Sequence, residues 1–244
     1  MRTGCGTMSG MTSFRTDTVS CGDVGQMDLH VWEPEGGGSA AILLIQEIFG
    51  VGKYIRDVAE RLADLGYIVG APDVFWRFAP NWEAEHDEEG LGQSFEKVQQ
   101  LDIRLAIGDC AAALEHLHRL PSVTRPAGVL GFCLGGTLAW AVAAADAPSV
   151  CVSYYGSGVP SMLDMIHQIH CPTLLHFGNA DDYIPTADVD AVATAIAGHD
   201  GFVLNVENAG HAFDNHDAPM FYNESASNAA WAKTTAFLGR HLPT

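Results

Sequence analysis

Lysine is nearly missing from this chain: Lys53, Lys97 and Lys233 are the only three in 244 residues. Lysine and arginine together number 12 against 30 acidic side chains, a net charge of −18. That balance excludes nucleic acid and anionic membrane surfaces as expected partners, since both call for a basic patch. Long apolar runs are missing too, and none approaches the ~20 residues that cross a bilayer. The Gly/Ser/Thr/Met-rich start has no apolar core of the kind a secretory signal needs. Residues 1–17 therefore read as a flexible tail. The six cysteines, at 5, 21, 110, 133, 151 and 171, make no C-x-x-C pair and show no metal-ligand spacing. Free thiols in a reducing cytoplasm are expected, with no metal and no cofactor. No repeat, low-complexity tract or linker divides the chain, so residues 18–244 are expected to form one domain.

What the sequence does have is alternation. Asp28 to Glu33 alternates as a half-exposed strand, and Ala40 to Ile45 is a continuous apolar run suited to a strand buried on both faces. Ile55, Val58, Ala59 and Leu62 recur at helical spacing, with Gly66 placed as a C-terminal cap. Further strands are expected at 67–71, 127–132, 150–154, 173–177 and 202–206. Helices are expected at 94–118, 134–145, 160–168, 186–197 and 224–241. The expected fold class is α/β, a doubly wound, mostly parallel sheet flanked by helices. Between Val74 and Gly92 the pattern lapses into a long loop. Its acidic run, Glu83 to Glu89, is either a solvated face or part of a lid.

The segment Gly131-Phe132-Cys133-Leu134-Gly135-Gly136 follows one apolar strand and opens an alanine-rich helix. That is the nucleophile-elbow pattern, with cysteine where serine usually stands. A small buried cysteine at a glycine-rich turn is the plain alternative. An elbow nucleophile needs a base, and the base needs an orienting acid. In elbow folds these follow in the order nucleophile, acid, histidine. Asp181 and Asp182 come directly after the 173–177 strand, and His211 lies in the loop after the 202–206 strand. All fall where open α/β sheets build their sites. Among the 11 histidines the rest have no motif context and read as solvent-facing or structural. Glu47, just beyond the 40–45 strand, is either a solvated carboxylate or a second carboxylate at the same sheet edge.

With these pieces in place the chain resembles the dienelactone hydrolase family, of the α/β-hydrolase fold, from about Thr18 to Leu242. The resemblance rests on Gln46-Glu47-Ile48-Phe49-Gly50, Ala71-Pro72-Asp73, the Cys133 elbow, Tyr154-Tyr155-Gly156, Asp181 with Pro185, and Gly210-His211. It implies Cys133 as an acyl-forming nucleophile, His211 as base and then acid, and Asp181 rather than Asp182 as the orienting carboxylate. It further implies that Glu47 interacts with the cysteine and takes part in its activation. The backbone N–H groups of Leu134 and Ile48 would form the oxyanion hole. The pattern departs where the substrate is held. Arginines that clamp an anionic dienelactone in the family are matched here by Asn215 and Leu91, which forfeits ~1.5–3 kcal/mol per clamp. Arg77 is the arginine left in the 74–92 loop, and Ala212 replaces a usual hydroxyl residue.

The expected function is hydrolysis of a lactone or small carboxylic ester, with the substrate bordered by Trp76, Arg77, Phe78, Tyr154 and Phe213. The partner is a small molecule, and the protein a monomer or homodimer. A general esterase or thioesterase with an apolar pocket, or a non-catalytic binding module on the same fold, remain as alternatives.

Overall fold

Apolar runs too short for helices build the centre of the molecule, because a strand covered on both faces has no polar side to show. The computed structural model describes residues 12–22 and 25–244. Strands Ser13–Ser20 (β1) and Gln26–Glu33 (β2) pair antiparallel. Ala41–Ile45 (β3), Ile68–Pro72 (β4) and Gly128–Phe132 (β5) follow, each buried at every position. Cys151–Tyr154 (β6), Thr173–Gly178 (β7) and Phe202–Glu207 (β8) complete the set. The eight strands form one sheet ordered β1-β2-β4-β3-β5-β6-β7-β8. Only β2 runs against its neighbours β1 and β4; every other pairing is parallel.

Helices Lys53–Asp64 (α1), Glu88–Gln100 (α2), Ile103–His118 (α3), Leu134–Ala145 (α4), Thr186–Ile196 (α5) and Glu224–His241 (α6) flank the sheet. The sequence of α4 is apolar all round, and every residue from Leu134 to Ala143 is buried. Gly66, in the left-handed region at φ +96°, closes α1 as its position predicted. Among the described residues no helix is long and apolar enough to cross a membrane.

Four expectations are corrected. Residues 13–17, assigned to the tail, belong to β1 and pair with β2 from Glu33 to Leu29; residues 1–11 lie outside the described residues. The single helix expected over 94–118 is two helices. Asp102 leaves helical geometry (ψ 107°) and its carboxylate accepts the N–H groups of Arg104 and Leu105, so the chain restarts there. The loop expected to run to Gly92 ends at Asp87, whose side chain caps α2 by accepting the Gly90 N–H at 2.8 Å. Glu88 and Glu89 then sit in the first turn, where the helix dipole favours negative charge. The 160–168 segment is a 3-10 stretch, Val159–Gln168, interrupted at Met162.

From β3 the chain turns one way to β4, while β5 lies on the other side, and β3 and β5 pair in parallel with Ile45 opposite Gly131. The crevice between their C-terminal ends is the switch point at which such sheets bind ligands. Glu47 and Ile48 follow one strand, and Cys133 and Leu134 follow the other.

Candidate active site

The elbow is a packing solution before it is a chemical one. A Cβ on Gly131 would lie 2.0 Å from the Gly135 carbonyl oxygen, and a Cβ on Gly135 would lie 2.2 Å from that of Ile45. Glycine at both positions lets α4 start directly against β3 and β5. The chain can turn that sharply only by placing Cys133 at φ +53°, ψ −114°, a region costly for a side-chain-bearing residue. Cys133 thereby stands at the N-terminus of α4, with its N–H bonded to the Tyr154 carbonyl at 3.0 Å.

His211 Nε2 lies 3.2 Å from Cys133 Sγ, and His211 Nδ1 lies 2.8 Å from Asp181 Oδ2. Asp181 Oδ1 accepts the backbone N–H groups of Tyr183 (2.8 Å) and Ile184 (3.1 Å), which fixes the carboxylate. Asp182 is exposed and takes no part in this chain of bonds. His211 reaches Cys133 from beyond β8, three strands away, so its loop has to be held firmly. Phe213 packs on both Tyr154 and Tyr155, with ring centroids at 6.4 and 5.2 Å. The fully buried Asp214 accepts hydrogen bonds from Tyr54 (2.8 Å) on α1 and Ser227 (2.7 Å) on α6. Burial alone would disfavour an imidazolium at His211. The negative charge of Cys133 as thiolate and the bond to Asp181 outweigh it, raising His211 from 6.5 to about 10.

Glu47 is 2% exposed, and desolvation pushes its carboxyl up from 4.5 to about 8, despite a hydrogen bond from Asn215 Nδ2 at 2.7 Å. The Asp217 N–H donates to Asn215 Oδ1 (3.0 Å), which settles which end of the amide faces Glu47. His86 Nδ1, in the tautomer carrying its proton there, donates to the same oxygen at 3.2 Å. The acidic segment brings His86 in through the Gly50–Glu83 bridge and the Ala84 N–H to Phe49 carbonyl bond (3.1 Å). The hydrogen bonds thus pair Cys133 with His211 and Glu47 with Asn215, while both Cys133 and Glu47 line one cleft. Asn215 stands where a clamping arginine was expected and serves instead as the partner of Glu47.

That cleft is a cavity of about 120 Å³ whose walls are mostly apolar. Leu91, Phe95 and Val98, spaced i, i+4, i+7, project from α2 to roof it. Ile48, Phe49, Leu134 and Phe221 line its sides, and Tyr183 stands edge-on to His211 with ring centroids 4.9 Å apart. Leu134 and Ile48, the expected oxyanion-hole residues, border it together.

The five expected substrate contacts lie elsewhere. Trp76 Nε1 donates to Asp109, and Arg77 grips the same carboxylate with two bonds of 2.7 Å, so both are held against α3. Phe78 packs on Phe75 within the core cluster. Tyr154 is buried with its hydroxyl 2.6 Å from Thr234 Oγ1, and Phe213 is the anchor of the His211 loop. All five were expected from their polarity or aromaticity near the strand ends; the core claims Tyr154 and Phe213, and Asp109 and Phe75 hold the other three away from the cleft. Missed from the sequence were His86, Phe95 and Val98, although the i, i+4, i+7 apolar row of Leu91, Phe95 and Val98 was there to be read. His176, expected to be structural, is buried against Asn205 and Thr234 and lowered by desolvation to about 3.

Among the described residues, Asp57, His216 and Asp217 have donor atoms close enough together to share a metal. Lys53 already bonds Asp57 (2.5 Å) and Asp217 (3.3 Å) there.

Compared with known proteins, residues 27–242 match the sequence pattern of the dienelactone hydrolase family. Carboxymethylenebutenolidase of Rhodococcus opacus is 33% identical over 226 residues, 88% of this chain and 86% of that protein. The Pseudomonas putida carboxymethylenebutenolidase is 31% identical over 201 residues, 82% and 85% respectively. The solved structure of a dienelactone hydrolase-like promiscuous phosphotriesterase from metagenomic libraries covers 95% of this chain and 99% of its own, with a TM-score of 0.80. At 22% identity that likeness speaks for the fold alone.

Proposed function

This chain belongs to the dienelactone hydrolase family of ester hydrolases, and on that footing we propose that it opens a lactone or cleaves a small carboxylic ester through an acyl-enzyme on Cys133. The observation that carries the reading is the continuous run Cys133–His211–Asp181, with contacts of 3.2 and 2.8 Å at the edge of a cleft. The Cys133 sulfur, ionised by transfer of its proton to His211 Nε2, attacks the carbonyl carbon. The carbonyl oxygen gathers charge facing the backbone N–H groups of Leu134 and Ile48, the first of which opens a helix whose dipole favours an anion. Collapse of the adduct breaks the ester bond, and His211 returns its proton to the departing alkoxide. In a lactone that alkoxide stays tethered to the acyl group. Water, deprotonated by His211, then attacks the thioester and releases the acid with the thiol restored. Asp181 holds the imidazole tautomer and offsets its charge. Glu47 carries its proton at neutral pH, so the nascent thiolate meets no second negative charge from that side.

Replacing Cys133 by Ala is expected to lower turnover of 4-nitrophenyl butyrate by about 10⁴–10⁶-fold, as nucleophile removal does in related mechanisms. Mixing the wild type with the same ester should add one butyryl mass at Cys133. Undiminished turnover in Cys133→Ala refutes the assignment.

A further inference from the structure

Building on that reading of the cleft, we propose that it accepts neutral esters with a compact apolar acyl group and turns away substrates bearing a carboxylate. Among the described residues the walls contain no lysine or arginine: Leu91, Phe95 and Val98 form the roof, and Ile48, Phe49 and Phe221 form the sides. The one carboxyl group in the lining, Glu47, brings no positive charge to receive an anion. Asn215, the amide beside Glu47, donates to Glu47 and accepts through its oxygen from Asp217 and His86.

Cations elsewhere in the described residues are engaged as well. Arg56 pairs with Glu83, and Lys53 bridges Asp57 and Asp217. Arg77 holds Asp109, and Arg61 stacks over Trp231 at 3.8 Å. Lys97, on α2 itself, lies over the Trp82 ring at 4.7 Å. A carboxylate entering this space loses its water and finds no lysine or arginine, with His211 already bonded to Cys133 and Asp181, and burying an unpaired ion is the costliest exchange a pocket can ask for. An apolar chain entering the same space loses nothing polar. The size limit is set by the cavity: about 120 Å³ falls a little below the ~150 Å³ apolar cavity that accepts benzene. A short acyl chain fits, while the opening leaves the alcohol portion free to extend outward.

The test compares 4-nitrophenyl hexanoate, 4-nitrophenyl monoadipate and the methyl ester of the latter at constant ionic strength, with spontaneous hydrolysis subtracted. The three share one acyl length and differ in end group: methyl, carboxylate, neutral ester. The expected kcat/KM for the monoadipate is lower than for either neutral ester by about 100-fold or more, the scale of an uncompensated charge in an apolar site. A Leu91→Arg variant places a cation in the roof and is expected to narrow that ratio at least tenfold. A second readout needs no turnover. Alkylation of Cys133 by iodoacetamide and iodoacetate, followed by mass spectrometry and scaled to mercaptoethanol, should favour the amide at least tenfold. Monoadipate turnover within tenfold of the neutral esters, or an alkylation ratio equal to that of mercaptoethanol, overturns the proposal. If no ester is hydrolysed, the ester-hydrolase reading falls while the alkylation ratio still decides charge selection. If Leu91→Arg does not fold, the wild-type comparisons decide it alone.

Discussion

Asp181 and Glu47 are both buried carboxyl groups within reach of the Cys133 cleft, one arriving from β7 and the other from β3. Asp181 accepts two backbone N–H groups besides its bond with His211, so its position is set by the main chain. Glu47 accepts from one neutral side-chain amide and keeps its proton to about pH 8. The difference separates two tasks. A carboxylate that must orient an imidazole is built into a turn, where its charge is balanced by fixed dipoles. A carboxyl that sits beside a nucleophile without opposing its ionisation is stripped of such donors and left to desolvation.

The comparison is tested most severely on the Asp181 side. Asp181→Asn is expected to lower kcat by about 10³–10⁴-fold, because the amide would hold the wrong tautomer of His211. A loss below tenfold would mean that the main-chain setting of this group is not used in catalysis. On the other side, the Glu47 carboxyl is raised by burial, so between pH 4.5 and about 8 the folded protein keeps a proton that the unfolded chain releases. Stability therefore falls as pH rises through that window. In Glu47→Gln the decline is expected to shrink by roughly 2–4 kcal/mol, read as about 5–10 °C less loss of Tm between pH 5 and 8.

Asn215→Ala removes the hydrogen bond that the amide donates to Glu47 and leaves a buried group unsatisfied. It is expected to cost about 1–3 kcal/mol in urea unfolding, with Asn215→Asp no better, since a second carboxyl beside the first has no reason to stay charged. The smallest effect is a contrast from outside the cleft. Arg77→Ala should alter kcat/KM by less than about threefold while lowering stability by about 1–3 kcal/mol, the usual worth of hydrogen bonds to a charged partner. A large kinetic loss there would bring Arg77 back toward the substrate.

Much of the molecule was legible in the chain itself. Five- and six-residue apolar runs bounded by turns gave the central strands, since nothing but burial on two faces suits them. Cys133, Asp181 and His211 could be placed because parallel strands deliver their C-terminal ends to one edge, so three loops far apart in sequence converge without any knowledge of side chains. Glu47 was legible on the same ground. The hairpin partner β1 was hidden, because an edge strand such as Ser13–Ser20 alternates weakly and its residues are mostly exposed or half-buried. The break at Asp102 was also hidden, where a capping carboxylate ended one helix within a continuous helical spacing.

The walls of the cleft belong to the tertiary structure alone. Whether Phe78 or Phe95 lines the cleft depends on where α2 is carried after the chain leaves β4, and that path is decided by long-range packing. Order along the chain fixes which atoms gather at a strand end. What surrounds them is fixed by competition for burial, in which every large apolar side chain is an equal candidate until the elements are docked.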